Sequence, residues 1–490
     1  MRIAPVLSPS LLGLGVALIV SFMSGCGGGN VPIGSGQGLS GNTSVTLLAT
    51  STANNQLSKF ILGVNGITLT SQEGKAIALL PAPMAVEFTH LNGQIEPLAT
   101  VSVPQGAYTS AVASIGGSSF TCVSLNPATG DIVPNQLAYD ETLPSEVSVN
   151  LPAPITISGT SMSLSLDLLV SESASFTSCA GSTYSITPTF SLSPANSSAQ
   201  PTEGANGKVT GLIGMIGSVD AGGSGLSINA VATYFDEAPV SGPIWQVTTG
   251  KSTVYQGIAG SAQLSAGTPV DMDATIQSDG SPLATRIAVY DTSTADLTVS
   301  QGPVLYSNEY EPMLVAFGAQ GQGPLSGLNA ADYDFNGTVF QVSGQITNLQ
   351  SLPFVASFSA TNMVAGQNGF LTTHALSVPG GFPYTQAKTV TLLPQAINGT
   401  VSATSSSGGF TTYTVTLANY DLFADLAVQP GQATLLNNPN NVVVYVDSNT
   451  QLLNSSPISV GGIFRFYGLV FNDNGTLRMD CAQINDGVAE

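Results

Sequence analysis

Short stretches of alternating apolar and polar residues are the feature that most constrains this fold. The clearest is MSLSLDLLV at residues 162–170. A period of two places apolar side chains on one face of a half-buried strand and polar side chains on the other. Similar stretches are separated by Gly, Asn and Pro, and none longer than about ten residues has apolar residues at helical spacing. The pattern predicts an all-β chain.

Residues 45–194 contain many such short strands, and this spacing predicts an N-terminal antiparallel β-sandwich. The segments 86–115 and 184–194 resemble an uncharacterised, prealbumin-like β-sandwich domain of bacterial surface lipoproteins. The matching residues are LNG at 91–93 and the P-x-G-x-Y step at 104–108. The resemblance implies a structural role for these residues and no activity. A polar linker follows the domain at 195–205.

Three short strings recur in residues 206–490 and predict three small β-barrel-like repeats, at 206–293, 300–395 and 396–490. The middle repeat is the least regular, with a longer insert after Thr338. The recurring positions are a threonine (Thr253, Thr338, Thr450), a glycine (Gly267, Gly366, Gly461) and a small residue on the closing strand (Ala284, Ala387, Cys481).

The repeats resemble an uncharacterised family of small OB-like β-barrels, well over 206–293, fairly over 396–490 and weakly in the middle. An OB-like shape implies oligosaccharide or oligonucleotide binding by analogy alone. The chain carries a formal net charge of −20, with 9 Lys and Arg against 29 Asp and Glu. Binding phosphates requires clustered positive charge, so this balance excludes nucleic acid as a partner.

Two side-chain positions in the repeats carry their own expectations. In the first repeat Asp271, Asp273 and Thr275 alternate with apolar residues, which predicts a strand with one face in solvent. Cys481 occupies the small-residue position of the closing strand, which predicts a buried structural thiol. A functional or intermolecular cysteine is the alternative.

The N-terminus predicts export. Residues 1–25 combine Arg2, an apolar run and small residues, as in a signal peptide, and a Gly/Ser-rich tether follows at 26–44. The string MSGC, ending at Cys26, resembles the lipobox of bacterial lipoproteins. The resemblance implies lipidation of Cys26 and membrane attachment through that lipid. Gly27, in place of the Asp of inner-membrane lipoproteins, favours the outer membrane. The alternative is a plain secretory signal with an incidental cysteine.

Export bears on the remaining cysteines. Cys122 and Cys179 lie in the same predicted domain, and an oxidising compartment favours a disulfide between them. Two separate buried thiols are the alternative.

The sequence contains no convincing catalytic group. His90 and His374 lie in different predicted domains, and neither is near a G-x-S-x-G string. Two facing carboxylates could hydrolyse a glycosidic bond, but the adjacent acids at 140–141 and 236–237 would point to opposite faces of a strand. The alternative is that these acids are solvated charges in loops. We therefore expect no enzymatic activity and no cofactor.

One string begins like a calcium-binding loop. Asp332, Asp334 and Asn336 alternate and are followed by Gly337, which is the order of oxygen ligands in such loops. The twelfth position is Ser343 rather than a bidentate glutamate. The alternative is a turn, which has the same composition in Asp, Asn and Gly, and no metal is expected.

Trp245 is the only tryptophan and has Tyr234, Phe235 and Tyr255 near it in sequence. Exposed aromatic side chains bind sugars, so Trp245 is the candidate glycan contact. A β-barrel core also uses aromatic residues, and core packing is the alternative.

Together these features predict a membrane-anchored, exported lipoprotein that acts as a non-enzymatic surface scaffold, spacer or adhesion module. The alternative is a carbohydrate-binding or glycan-processing surface lipoprotein. The partner would then be a glycan or a protein of the cell envelope.

Overall fold

The structure is a computed structural model of the whole chain. It describes residues 39–52, 57–88, 91, 95–125, 132–137, 143–176, 184–195, 207–231, 241–289, 297–307, 315–318, 330–344, 349–376, 384–418, 422–428, 435–453 and 456–486. The described residues from Ser40 onward belong to one compact unit. Strands dominate them, which confirms the predicted all-β class with barrel-like units.

The N-terminal domain is built almost entirely of strands. They are β1 (Asn42–Thr52), β2 (Leu57–Ser71), β3 (Ala76–Leu80), β4 (Met84–Glu87), β5 (Glu96–Pro104), β6 (Gly106–Leu125), β7 (Ile132–Leu137), β8 (Glu146–Asn150), β9 (Ile155–Ile157), β10 (Ser161–Leu169), β11 (Ala174–Phe176), β12 (Tyr184–Ile186) and β13 (Phe190–Ala195), with the short helix α1 (Val170–Ser173). Because β1 begins at Asn42, the last three residues of the predicted tether belong to the first strand.

The domain's strands enclose one hydrophobic core. An eleven-stranded sheet runs in the order β3-β2-β6-β8-β13-β10-β1-β5, with β4, β7 and β9 paired at its side. The pairs β1–β10 and β8–β13 are parallel, which refines the expected antiparallel arrangement. Alternation along β10 places Leu164, Leu166 and Leu168 in the core, as the sequence pattern predicts.

Three barrels follow along the chain. The first contains β14 (Lys208–Val219), β15 (Gly225–Val231), β16 (Ser241–Gln256), β17 (Pro269–Ile276) and β18 (Pro282–Ala288). The second contains β19 (Leu297–Ser307), β20 (Val315–Gly318), β21 (Ala330–Asp334), β22 (Val339–Val342), β23 (Asn368–Leu376) and β24 (Tyr384–Leu392). The third contains β25 (Gln395–Ser407), β26 (Phe410–Leu417), α2 (Leu422–Ala427), β27 (Asn441–Val446), β28 (Gln451–Leu453), β29 (Ile463–Asp473) and β30 (Thr476–Asp486). Short 3₁₀ turns lie at Ser261–Gln263 and Leu349–Ser351.

The three barrels share one topology. In the first, the closed ring is β14-β15-β16-β18-β17. The first strand pairs with the second and fourth, and the fifth pairs in parallel with the third. The second and third barrels repeat this ring, with the third strand divided into two pieces. Each unit is therefore a barrel in which the third strand, whole or in two pieces, pairs with the fifth rather than with the fourth.

A recurring threonine joins the third strand of each barrel, or the turn before its second piece, to the fifth strand. Its hydroxyl donates to the main-chain carbonyl of the recurring small residue. The three hydrogen bonds are Thr253 to Ala284 at 2.7 Å, Thr338 to Ala387 at 2.6 Å and Thr450 to Cys481 at 2.8 Å. The strings aligned in the sequence are therefore equivalent in the structure.

A recurring glycine closes each barrel before its fourth strand. Its N–H donates to a carbonyl of the first strand, and its φ is positive. The three are Gly267 (φ 84°, to Ile216, 2.8 Å), Gly366 (φ 95°, to Val304, 2.7 Å) and Gly461 (φ 88°, to Val401, 2.8 Å). The position therefore requires a residue that adopts a left-handed conformation without strain.

These glycines provide a matched set of substitutions. An added Cβ meets nothing within 4 Å at Gly267 or Gly461, whereas at Gly366 it lies 2.6 Å from the buried ring of Phe423. We expect Gly267→Ala and Gly461→Ala each to cost about 1 kcal/mol from the left-handed backbone. Gly366→Ala should cost about 3 kcal/mol because overpacking adds to that strain. Thermal unfolding by calorimetry measures the difference, and three equal losses would contradict the assigned contact.

Candidate functional site

The polar face of β10 lies against the first barrel. Ser163 and Ser165 are buried, although the alternating pattern predicts a strand with one solvated face. The Ser163 hydroxyl donates to the carbonyl of Gly280 at 3.1 Å, and Ser161 donates to the carbonyl of Asp279. The backbone of Gly280 approaches Met162 so closely that a Cβ would overlap it. The turn between β17 and β18 is therefore fitted against the N-terminal sheet.

Apolar residues complete this contact. Leu48 on β1, Ile95 directly before β5 and Ala195 on β13 belong to the N-terminal domain but lie in the hydrophobic cluster of the first barrel. Side chains on the two faces of the N-terminal sheet therefore pack into two different hydrophobic cores.

A buried charge cluster lies on the outer face of β17. Arg286 Nη2 is 2.7 Å from Asp271 Oδ1, and Arg286 Nε is 2.7 Å from Asp273 Oδ2. Asp271 is 0% exposed and Arg286 is 4% exposed. The prediction that this face of β17 lies in solvent is therefore wrong at Asp271 and Asp273. Asp271 is enclosed because Arg286 compensates its charge and a neighbouring unit covers it, whereas Asp273, with 15% of its side chain exposed, shares the same guanidinium.

The covering unit is the second barrel. Ser343, which is buried directly after β22, donates its hydroxyl to Asp271 Oδ2 at 3.1 Å. The N–H of Gly211 donates to Asp273 Oδ1 at 2.9 Å. Burial raises the pKa of Asp273, and the guanidinium of Arg286 opposes that shift. The charge cluster therefore joins the first barrel to the second.

Two apolar residues of the third barrel pack into the core of the second. Leu469 and Phe471 on β29 pack with the core residues of the second barrel rather than with those of the third. The amide of Gln367 donates to the carbonyl of Val470 at 2.8 Å, and its oxygen accepts from the N–H of Val364. This contact combines apolar burial with a satisfied buried amide.

Aromatic residues extend the contact between these barrels. The described part of the insert after Thr338 includes residues 349–359, and its Phe354 lies 4.9 Å, centroid to centroid, from Tyr445 of β27. The guanidinium of Arg478 lies 5.5 Å from the Phe354 ring and 5.8 Å from the Tyr445 ring. Arg478 Nε also pairs with Asp473 at 2.7 Å. The irregular middle repeat thus uses its insert to bind the third barrel.

Trp245 is not a surface contact. Its side chain is 1% exposed and lies in the core of the first barrel, opposite Ile228 in the register with β15. Its Nε1 has no hydrogen-bond partner among the described residues. The glycan-contact interpretation of Trp245 is therefore wrong, because the barrel needs a large side chain at its centre. Tyr234 and Phe235 lie outside the described residues, and Tyr255 is half-buried against the same core.

The calcium-like string forms the turn between β21 and β22. Asp334 Oδ1 accepts from the N–H of Asn336 at 2.8 Å, and Gly337 has a positive φ of 77°. Ser343 lies buried at the contact with the first barrel. Asp332 lies on β21, and its side chain is outside the described part. Among the described residues, no group of three or more His, Cys, Asp and Glu side chains could hold a metal ion.

Of the four cysteines, only Cys481 has a side chain that the structure describes. Cys481 is buried and free, and its pKa is raised by desolvation, as suits a structural thiol. Cys122 lies on β6, opposite Leu57, with its side chain outside the described part. Cys26 and Cys179 lie outside the described residues, so both the lipidation and the Cys122–Cys179 disulfide remain predictions.

The histidines and the adjacent acids, for which no catalytic role is predicted, have no described side chain. His374 lies on β23 with an undescribed side chain, and His90 and the acid pairs at 140–141 and 236–237 fall outside the described residues. Within the described ranges no helix is long and apolar enough to cross a membrane.

Among the described residues, the polar and charged side chains that are buried against expectation therefore lie between neighbouring units. The sequence pattern did not indicate that Ser163, Arg286 or Arg478 joins neighbouring units. The available signal was that each occupies a polar position of an alternating strand. Comparison with protein-family models and with curated proteins found no match to this chain.

Proposed function

We propose that this protein is a membrane-anchored, exported lipoprotein whose β units form a non-enzymatic scaffold or spacer. The observation that carries the proposal is the set of buried contacts that join each described unit to the next. Ser163 with Gly280, Asp271 with Ser343, and Phe354 with Tyr445 each cross from one unit to its neighbour. A spacer needs such contacts because flexible joints would not hold its far end at a fixed distance.

The composition agrees with this proposal. Charged residues are 8% of the chain, and the buried Arg286 forms ion pairs with Asp271 and Asp273 rather than binding a ligand group. An adhesion role would use the same scaffold with an exposed surface for a glycan or envelope protein. Because Trp245 is buried, it no longer supports the carbohydrate-binding alternative.

Lipid anchoring is the first test. In a bacterial host, the full chain should incorporate a fatty-acid label and sediment with membranes, and Cys26→Ser should lose both properties because the acceptor thiol is gone. Cys481→Ser is the matched control, since its thiol is buried in the third barrel. A Cys26→Ser chain that stays in the membrane fraction would contradict lipid anchoring.

Rigidity is the second test. Distances between spin labels placed on exposed positions of the first and third barrels, such as Lys251 and Asn449, should have a single narrow distribution. A broad distribution in the wild-type chain would contradict a spacer. Binding to one glycan family across a broad panel would instead favour the carbohydrate-binding alternative.

A further inference from the structure

A buried acid lies at the contact between the second and third barrels. Asp480, on β30, is 2% exposed, and its Oδ2 has no hydrogen-bond partner among the described residues. It is opposite Leu469 on β29 and Tyr445 on β27. A carboxyl group without partners is costly to bury in its charged form.

The neighbours of Asp480 along β30 show which unit covers it. Arg478 lies two residues before Asp480 and therefore on the same face of the strand, and Ala482 lies just beyond it, where the pairing with β29 shifts register. Arg478 lies over the ring of Phe354 from the second barrel, and Ala482 packs against the core of that barrel. Asp480 is therefore enclosed between the two barrels rather than within the third.

The charged and titratable groups around Asp480 do not neutralise it. From β27 it faces Tyr445 and, beyond the strand, Asp447. On β30 the nearest cation is Arg478, which bonds to Asp473 and to the Tyr445 hydroxyl. Leu469 on β29 is apolar, and the titratable Tyr467 and Arg465 of that strand lie opposite Gln483 and Asn485 rather than opposite Asp480. Cys481 points into the opposite core, and residues 349–359 contain no charged side chain. Burial, with a smaller effect from Asp447, raises the pKa of Asp480 to about 7.

We infer that Asp480 is a proton-controlled contact between the second and third barrels. In its neutral form the acid tolerates the dry contact. When the proton leaves, the carboxylate requires water and is repelled by Asp447, so the second barrel's insert separates more often from β27 and β30. The scaffold would then be most rigid in mildly acidic surroundings and looser at alkaline pH.

Hydrogen exchange of the full chain tests this inference. After correction for the intrinsic pH dependence of exchange, peptides from residues 349–359, 441–447 and 476–486 should open about 10- to 100-fold more often at pH 7.5 than at pH 5. Asp480→Asn removes the titration while keeping the shape, so its opening should be independent of pH over this range. Equal pH dependence in the wild type and in Asp480→Asn would overturn the inference.

Two further variants locate the effect. Asp447→Asn keeps an oxygen for the turn at 447–450 but removes the repulsion that raises the pKa of Asp480, so the rise in opening between pH 5 and pH 7.5 should be smaller than in the wild type and should end at a lower pH. The raised pKa of Asp480 would fall only partly because burial remains. Glu146→Gln, at an exposed position at the start of β8 in the N-terminal domain, should behave like the wild type. A loss of pH dependence in Glu146→Gln would also overturn the assignment to Asp480.

Discussion

Replacing Arg286 with methionine is expected to lower the free energy of unfolding of the first barrel by about 3–5 kcal/mol. The substitution removes the guanidinium that lies 2.7 Å from each of two carboxylates and leaves Asp271, which is 0% exposed, uncompensated. Trp245 is the only tryptophan and is buried in this barrel. Its fluorescence during a urea titration therefore reports the transition, and an unchanged midpoint would contradict the role of the charge cluster.

Two variants separate this effect from a general loss of packing. Changing Arg286 to methionine together with Asp271 and Asp273 to leucine should recover most of the loss, because no buried charge is left alone. Arg478→Met removes a more exposed arginine of the third barrel, which has 25% of its side chain accessible. It should cost about 1 kcal/mol or less and leave the Trp245 transition in place.

The sequence predicted the inner faces of strands better than the outer ones. Alternation correctly assigned Leu164, Leu166 and Leu168 of β10 to a core, because a period of two depends only on local geometry. It wrongly assigned Asp271 and Asp273 to solvent. Whether a polar face is wet depends on which unit packs against it, and that contact joins residues far apart in sequence.

The repeats were predictable for a related reason. The threonine and glycine strings recur because each barrel needs the same hydroxyl bond and the same left-handed turn. The contacts between barrels do not recur: equivalent positions carry Asp273 with Arg286 in the first barrel and Thr372 with Thr389 in the second. The ion pair that the second barrel covers is therefore particular to the first barrel, and the strings shared by the repeats do not predict it.

Replacing Trp245 with alanine is expected to lower the free energy of unfolding of the first barrel by about 3–5 kcal/mol. The side chain is 1% exposed, so its removal leaves a large cavity in the core. Calorimetry measures the loss, since the variant has no tryptophan fluorescence. A thermal transition equal to that of the wild type would contradict the buried position.

This prediction also decides how a glycan-binding experiment is to be interpreted. Loss of binding in Trp245→Ala would follow from disruption of the barrel whether or not the indole ever met a sugar. Trp245→Phe is the informative variant, because it keeps an aromatic core and removes the Nε1–H that has no partner among the described residues. We expect it to cost less than the alanine variant and to leave any glycan binding unchanged. Binding abolished in Trp245→Phe, with a preserved thermal transition, would return Trp245 to the list of ligand contacts and favour a barrel that opens to expose it.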